Sequence, residues 1–352
     1  MIILGIETSC DETAASLIKI SNRGEKVEVL SNVVASQILI HRRYGGIIPE
    51  VAARAHLVNV FPVIEQAIFS KLSNPQRQID AIGVTNGPGL ITSLIVGVEV
   101  AKVLSYTWQI PLVPINHLLA HLYANFLSEK DNQWKKINFP ALCLVVSGGH
   151  TKLILMKNKE RFLELGTTVD DAAGEAFDKV AKLLNLGYPG GPIVSRRARQ
   201  GDSQAIIFPR PMIKQANYNF SFSGLKTAVK YRVAKEKKIN QQFVNDICAS
   251  FQQAAIDVLI SKTMRAVKGF KVNSVLLAGG VAANQQLRQQ LAKRITQLSK
   301  KIDFFVPPIK LCTDNALMIA LATYFKINSK PSLLKYRTNW QKIKINPNLE
   351  ID

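Results

Sequence analysis

The chain has 352 residues, of which 47% are hydrophobic, and its formal net charge at pH 7 is +20. This length suits two globular lobes, while a mean hydropathy of +0.08 and the lack of an apolar run of about 18 residues argue against a membrane protein. Four scattered cysteines without a CxxC pair fit a reducing compartment rather than a disulfide-stapled secreted fold. No secretory signal precedes the first strand, so we expect a cytoplasmic location, or the matrix or stroma of an organelle that makes its own proteins.

The excess of positive charge is spread over several clusters. They lie at Arg42–Arg43, Lys135–Lys136, Arg196–Arg199, 226–238, Lys300–Lys301 and 326–344, and aromatic residues interleave with them at 230–232 and 335–337. Such an excess favours a polyanionic partner such as nucleic acid, through charge attraction and counterion release. No RNA-recognition, KH or zinc-finger signature accompanies it, so the charge alone leaves open a merely solvated surface.

The first third of the chain alternates predicted strands with predicted helices. Hydrophobic periodicity predicts strands at 2–6, 14–20, 27–34 and 79–85 and helices at 50–70 and 90–108. The polar turn 7–13 makes a hairpin of the first two strands and carries Glu7, Asp11 and Glu12. In a cleft, one of these carboxylates could accept a proton or position a metal, whereas on an open surface they would only be solvated.

The second half of the chain repeats this plan. Strands are predicted at 141–146, 152–156, 272–277 and 304–306, and helices within 170–262 and at 285–298 and 315–324. The first two of these strands again flank a tight polar turn. The repetition predicts an α/β protein with a duplicated fold, one copy in each lobe.

Two histidines stand four residues apart in a predicted helix over residues 117–127, which Asn116 is suited to cap. This spacing places His117 and His121 on one face of the helix, where they can bind one metal ion. Asp314 is the best candidate for a third ligand, and two imidazoles with one carboxylate would leave coordination positions open. The alternatives are a coincidental histidine pair and a Thr313 or Asp314 that only caps the next helix. Leu118 replaces the glutamate of an HExxH motif, which disfavours a zinc peptidase.

Four glycine turns follow apolar strands or precede helices, at 86–89, 147–149, 190–191 and 279–280. Glycine lets backbone amides approach a ligand closely, and helix N-termini favour anions, so together the turns predict a nucleotide cleft between the lobes. The cleft has neither a Walker nor a Rossmann motif. Asn219 replaces the first glycine of GxxxxGK[ST], and Thr92 replaces the third glycine of GxGxxG.

Nine motifs in order resemble one known family. They are GIETSCDET (5–13), NGPG (86–89), NHLLAH (116–121), VVSGGHT (145–151), DDAAGEAFDK (170–179), YPGGP (188–192), FSFSGLK (220–226), GGVAAN (279–284) and CTDN (312–315). Their order and identity are similar to the tRNA threonylcarbamoyl transferases, bacterial TsaD, over about residues 1–325. Val103, the loop 131–138 and the basic tail beyond Tyr324 depart from the pattern.

The resemblance implies an actin/Hsp70/sugar-kinase-like (ASKHA) fold of two lobes with a duplicated core. We expect residues 1–112 and 312–352 to form the first lobe, and 113–311 the second, with a helical insertion at about 170–262. The implied reaction transfers a threonylcarbamoyl group from threonylcarbamoyl-AMP to the exocyclic amine of adenosine at position thirty-seven of ANN-decoding tRNAs. The implied partners are tRNA, a paralogous TsaB-like subunit of the same fold and a TsaE-like P-loop ATPase.

The same resemblance assigns site residues. His117, His121 and Asp314 match the metal ligands, with Fe2+ as the usual metal and Zn2+ chemically credible. The positions that match adenylate-binding residues are Val145, Val146, Ser147, Gly148, Gly149, Asp178, Gly191 and Asn284. We expect the Ser147–Gly149 amides to hold a phosphate or carbonyl oxygen, Asp178 to accept from ribose hydroxyls, and Asp11 to deprotonate or orient the incoming amine. The alternatives are a small-molecule kinase of the same fold and a non-catalytic nucleotide-binding scaffold.

Overall fold

The computed structural model describes residues 1–21, 24–128, 133–298, 301–335 and 339–351. The chain forms two compact units. The first comprises Met1–Ile40, Ile47–Lys136 and Thr313–Asp352, and the second comprises His41–Gly46 and Ile137–Cys312. Lys300, Tyr336 and Arg337, which belong to the predicted basic clusters, and residues 131–132 of the departing loop lie outside the described residues.

Runs of strands and runs of helices follow one another along the described chain. The strands are β1 (Ile2–Glu7), β2 (Glu12–Ile20), β3 (Val27–Ser36), β4 (Ala81–Gly87), β5 (Leu112–Asn116), β6 (Leu127–Ser128), β7 (Gln133–Trp134), β8 (Ala141–Val146), β9 (Thr151–Met156), β10 (Phe162–Thr167), β11 (Ser274–Ala278) and β12 (Asp303–Phe305). The helices are α1 (Ile38–Arg42), α2 (Pro49–Phe69), α3 (Pro75–Gln78), α4 (Ile91–Trp108), α5 (His117–Tyr123), α6 (Ala173–Leu183), α7 (Gly190–Ala198), α8 (Ser223–Ala234), α9 (Gln241–Phe270), α10 (Gln285–Thr296) and α11 (Ala316–Ser329).

Each unit contains one five-stranded mixed sheet, and the two sheets share one topology. Their orders are β3-β2-β1-β4-β5 and β10-β9-β8-β11-β12. In both, the first three strands pair antiparallel and the last two join in parallel. The predicted α/β class and the predicted duplication of the strand plan are therefore confirmed.

The predicted boundary between the lobes was wrong at one end. Residues 113–136 belong to the first unit, because β5 pairs in parallel with β4 and α5 packs against α11. The predicted helix over 117–127 is also shorter, since α5 ends at Tyr123 and a 3₁₀ turn, Ala124–Phe126, follows. That turn buries Phe126 against Phe325 of α11, with ring centroids 5.2 Å apart.

Helices cover both faces of the first sheet. Leu4 and Ile6 of β1 share a core cluster with residues of α2 and α4, while Gly5 between them lies against α11. This alternation follows from the two-residue repeat of a strand. Helix α4 is long enough, and with a mean hydropathy of 1.2 apolar enough, to cross a membrane by composition alone. It packs against α2 and β4, as core helices of the same composition do.

Candidate metal centre and nucleotide-binding turns

Helix α5 presents two buried histidines directly after β5. The Asn116 side chain caps the helix, since its Oδ1 accepts from the amides of Leu118 and Leu119 at 2.9 and 3.2 Å. His117 and His121 lie on one helical face, with ring centroids 4.7 Å apart. The predicted cap and the shared face are both confirmed.

Asp314 reaches the two histidines from the start of α11. Its Oδ1 lies 3.5 Å from His117 Nε2 and 3.2 Å from His121 Nε2. Asn315 caps α11, because its Oδ1 accepts from the amide of Met318. Asp314 is therefore not the cap of this helix, and its side chain, which is 20% exposed, faces the imidazoles instead.

The chemistry of this trio fits a metal ion. One donor atom from each residue lies within 4.8 Å of the others. His121 is 1% exposed, and within the described part of the chain neither of its ring nitrogens makes a well-directed hydrogen bond, although Asp314 Oδ1 lies 3.2 Å from Nε2. A buried polar atom without a partner calls for an explanation, and a cation shared with Asp314 provides one at Nε2. The three residues could thus hold a metal ion.

The protonation of the trio also favours a bound cation. Burial disfavours the charged form of His117, but Asp314 and Glu7 outweigh it and raise the pKa of this ring to about 9. Burial prevails at His121 and lowers its pKa. The carboxylates therefore favour a positive charge between the two rings, which either a proton or a divalent cation can supply. Because the proton and the metal compete for this position, metal affinity will increase with pH.

A second group of residues, not assigned as site residues from the sequence, orients His117. Glu7 Oε2 lies 3.0 Å from His117 Nδ1, and Ser9 Oγ lies 3.1 Å from the same atom. Thr85 donates its hydroxyl to Glu7 Oε2 at 2.7 Å. A carboxylate that accepts from Nδ1–H leaves Nε2 as the ligating nitrogen. The sequence signal for this role was the cluster of carboxylates in the predicted turn 7–13, to which Glu7 belongs.

Replacement of Glu7 by glutamine is expected to lower metal affinity about 10–100-fold, because the charge that holds the Nδ1 proton of His117 is lost. Competition with a chelator, followed by metal analysis, measures the effect. Thr85→Ser is the control, since it keeps the hydroxyl that donates to Glu7. Wild-type affinity in Glu7→Gln would show that Glu7 does not orient the ligand.

In the second unit, the predicted glycine turns at 147–149 and 279–280 lie close to each other at the ends of strands β8 and β11. A Cβ added at Gly279, which ends β11, would lie 2.5 Å from the carbonyl oxygen of Val146 in β8. A Cβ at Gly174 in α6 would lie 2.6 Å from the carbonyl oxygen of Ser147. Val145 and Val146 are fully buried core residues. At Gly148 and Gly149, by contrast, an added Cβ would meet no atom within 4 Å, so this turn is open to a ligand.

Asp178 and Asn284 make structural hydrogen bonds beside the same turns. Asp178 Oδ1 accepts from the amide of Gly190 at 2.7 Å, at the N-terminus of α7. Asn284 caps α10 through the amide of Leu287 and donates to Gln252 Oε1 at 2.7 Å. Space is open around Gly191, where an added Cβ meets nothing within 4 Å. Asp178 and Asn284 thus fix the positions of two helix N-termini.

Comparison with known proteins agrees with this arrangement of motifs. A family model described as TsaD, tRNA N6-adenosine threonylcarbamoyltransferase, matches residues 28–321. A relative of that name from Syntrophomonas wolfei subsp. wolfei is 47% identical and covers 95% of this chain and 97% of its own length. Another, from Bacillus subtilis, is 50% identical over 92% of this chain and 89% of its own. The chain belongs to the tRNA N6-adenosine threonylcarbamoyltransferase family.

Membership in this family confirms the resemblance read from the nine motifs, and with it the predicted class of enzyme, a transferase of tRNA modification. Among solved structures, full-length HypF in a phosphate- and nucleotide-bound form superposes with a TM-score of 0.58 at 12% identity, and T. kodakarensis HypF with 0.60 at 15%. They cover 94% and 95% of this chain. This chain spans about half of each, 47% and 49%, and at such identities the likeness concerns the fold alone.

Asp11 lies in the β1–β2 turn of this family member, in a strongly acidic environment. It is 8% exposed, and its carbonyl oxygen accepts from the amide of Gln37 at 3.0 Å. Burial, followed by the negative charges of Asp11 and Asp314, raises the pKa of Glu12 well above its ordinary range. Glu12 therefore retains its proton to a higher pH than an ordinary glutamate does.

The tail beyond α11, which matched nothing specific in the sequence, contacts the histidine helix. The side-chain amide of Asn116 donates to the carbonyl oxygen of Glu350 at 2.9 Å. The amide of Gly89 donates to Pro347 at 3.1 Å, and the amide of Asn346 donates to Asn86 at 2.9 Å. The tail thus holds both the 86–89 turn and the cap of α5.

Replacement of Asn116 by aspartate tests this contact, because aspartate keeps the acceptor that caps α5 but loses the donor to the tail. Limited proteolysis is expected to cut the tail several-fold faster, with metal affinity reduced less than in Glu7→Gln. Asn315→Asp, which alters the cap of α11 in the same way, is the control. Equal protection of the tail in wild type and Asn116→Asp would contradict the role given to this amide.

Proposed function

We propose that the protein transfers the threonylcarbamoyl group of threonylcarbamoyl-AMP to the exocyclic amine of adenosine at position thirty-seven of ANN-decoding tRNAs. The observation that carries the proposal is the close approach of His117, His121 and Asp314 in a chain of this family. Asp314 follows His121 by 193 residues in the sequence, and only a specific fold brings it to the two histidines. We assign that fold to the ASKHA class, which the repeated strand order in the two units supports.

The metal that we propose for the trio is Fe2+, with Zn2+ as the alternative. Two imidazoles and one carboxylate suit both ions and leave coordination positions open. When bound, the metal supplies a Lewis acid for a substrate oxygen. The chain supplies the ligand orientation, since Glu7 and Ser9 contact Nδ1 of His117.

An acyl-adenylate is already activated, so the protein mainly aligns the amine with the carbonyl and stabilises the developing negative charge. We assign the amides of Gly148 and Gly149 to the phosphate or carbonyl oxygens, because the turn is open at these glycines. The amide of Ser147 instead donates to the carbonyl oxygen of His150 at 2.8 Å and so shapes the turn. Val145, Val146, Asp178, Gly191 and Asn284 shape the same region through the buried strand β8 and the N-termini of α7 and α10. Asp11 is the residue that we assign to orienting the incoming amine.

We further propose that tRNA, a paralogous TsaB-like subunit and a TsaE-like P-loop ATPase are the partners. An exposed apolar face on α2 supports a protein partner, because contiguous apolar surface of this kind is typical of interfaces. On this face Leu57, Val58 and Phe61 are 61%, 72% and 60% exposed. A cytoplasmic, matrix or stromal location agrees with the four free cysteines.

Reconstitution tests the proposed reaction. The protein is incubated with both partners, threonine, bicarbonate, ATP, the adenylate-forming enzyme and unmodified tRNA, and the nucleosides are then analysed for threonylcarbamoyladenosine. We expect this nucleoside only when the protein is present. A preparation that forms none, but phosphorylates a small molecule, would replace the transferase with a kinase of the same fold.

A further inference from the structure

The second unit carries a large basic groove that the proposed reaction does not use. It has a volume of about 1180 Å3 and lies between the loop at 210–215 and the helices α9 and α10. Apolar side chains, including Met212, Ile260 and Met264, form part of its lining. Its lining also contains five cationic side chains and one carboxylate, Asp257: the cations are Arg210, Lys214, Arg265, Lys268 and Arg294.

Two of the five cations have structural partners. Arg210 pairs with Asp257, with its Nη2 2.9 Å from Oδ2. Arg265 donates to the carbonyl oxygens of Ile213, at 2.7 Å, and Gln215. Beneath them the ammonium of Lys262, a fully buried residue, donates to the carbonyl oxygen of Asn217 at 2.6 Å. These bonds pin the loop to α9 and give the groove a fixed wall.

The other three cations have no such partner. Lys214, Lys268 and Arg294 are exposed, and within the described residues none of them forms an ion pair. The single carboxylate of the groove is already paired with Arg210. The groove therefore presents at least three unneutralised positive charges, one each on the loop, α9 and α10, which concentrates anions at this surface.

The composition of the lining decides the kind of anion. It contains no aromatic side chain, and so lacks the stacking platform that proteins binding unpaired bases typically provide. Several cations spread along an open groove suit a series of phosphates, as in the backbone of a helical stem. We infer that this groove binds the phosphate backbone of a base-paired arm of tRNA. The inference rests on the proposed function, since it takes tRNA as the substrate.

The groove is distinct from the adenylate-binding turns. Gln252, which accepts from Asn284, and Lys268 lie sixteen residues apart on α9, which corresponds to about 24 Å along the helix axis. Asp257, at the near end of the groove, is only five residues or about 7.5 Å from Gln252, so it is the charges at the far end, such as Lys268, that contact a different part of the RNA from the nucleotide at the turns. Its role is to anchor the body of the tRNA.

A triple variant tests the groove. Lys214→Gln, Lys268→Gln and Arg294→Gln together remove three charges, and Lys19→Gln, Lys71→Gln and Lys157→Gln remove three exposed charges elsewhere as the control. In titrations of labelled, unmodified tRNA against the full chain, we expect the Kd of the groove variant to rise at least about tenfold. We also expect its salt slope, which is the slope of the logarithm of the binding constant against the logarithm of the salt concentration, to fall in magnitude by about two to three. The control should change Kd less than about threefold.

Three further measurements complete the test. Lys214→Arg, Lys268→Arg and Arg294→Lys together keep the charge and should bind like wild type. With both partners present, the glutamine variant should show a raised KM for tRNA and an unchanged kcat. The inference would be overturned if the groove variant had the same Kd for tRNA and the same salt slope as the control. It would also be overturned if the groove variant still bound tRNA like wild type but no longer bound an acidic protein partner. Wild type that binds tRNA but forms no threonylcarbamoyladenosine would contradict the proposed function and leave the binding comparison to decide the groove.

Discussion

Replacement of His121 by alanine is expected to remove the bound metal and to lower threonylcarbamoyl transfer at least about 100-fold. Removal of a residue that only orients a metal ligand typically costs about 10–100-fold in metal affinity or activity, and removal of the ligand itself should cost more. His121 is 1% exposed, and Nε2 lies 3.2 Å from Asp314 Oδ1. Alanine leaves Asp314 and His117 without the third ligand. Metal analysis of anaerobically purified protein, together with the reconstituted assay, measures both effects.

A second variant on the same helix separates ligand loss from helix damage. Leu119→Ala changes a half-buried residue of α5 and is expected to keep the metal. Asp314→Asn should reproduce most of the metal loss of His121→Ala, since an amide is a weaker ligand than a carboxylate. Full metal occupancy in His121→Ala would place the metal site elsewhere in the protein.

Replacement of Gly5 by alanine is expected to destabilise the first unit by about 2–3 kcal/mol, because the added methyl overpacks the contact between β1 and α11. Its Cβ would lie 2.4 Å from the carbonyl oxygen of Ala316 and 2.7 Å from the amide nitrogen of Ala320. Both are backbone atoms of α11, so the helix itself must move, and Asp314 moves with its N-terminus. Metal affinity should therefore fall together with stability.

Thermal unfolding measures the cost, and a loss of this size corresponds to a fall in Tm of about 4–12 °C. Gly46→Ala is the control, because an added Cβ there meets nothing within 4 Å, and its effect should stay within about 0.5 kcal/mol. An unchanged Tm and metal affinity in Gly5→Ala would show that the approach of α11 to β1 does not position Asp314.

The sequence was most informative about elements that neighbouring residues determine by themselves, such as hairpins and helix caps. The hairpin of β1 and β2 follows from apolar runs around a polar turn, and the cap of α5 from Asn116 before the histidines. The sequence left open whether Asp314 is a metal ligand or only the N-cap of the next helix. The structure decides against the cap, because Asn315 caps α11. The prediction of His117, His121 and Asp314 as metal ligands rested on the four-residue spacing of the histidines together with the family resemblance.

The missed features depend on contacts between distant segments. Thr85 becomes a partner of Glu7 because β4 lies beside β1, which no local pattern reveals. The tail showed no periodicity because its contacts with the 86–89 turn and Asn116 are made largely by backbone atoms. The lobe boundary at 112 was wrong for a similar reason, since β5 joins the first sheet by pairing with β4.

The order of the segments along the chain has a consequence for biosynthesis. Residues 137–312 of the second unit separate the histidines from Asp314 and α11, which complete the first unit. A nascent chain that has just completed the second unit carries β1 and both histidines, but Gly5 has no α11 against it and the imidazoles have no Asp314. A metal ion bound by all three ligands would therefore require a chain that has been synthesised through Asp314, which is the last of the three to emerge.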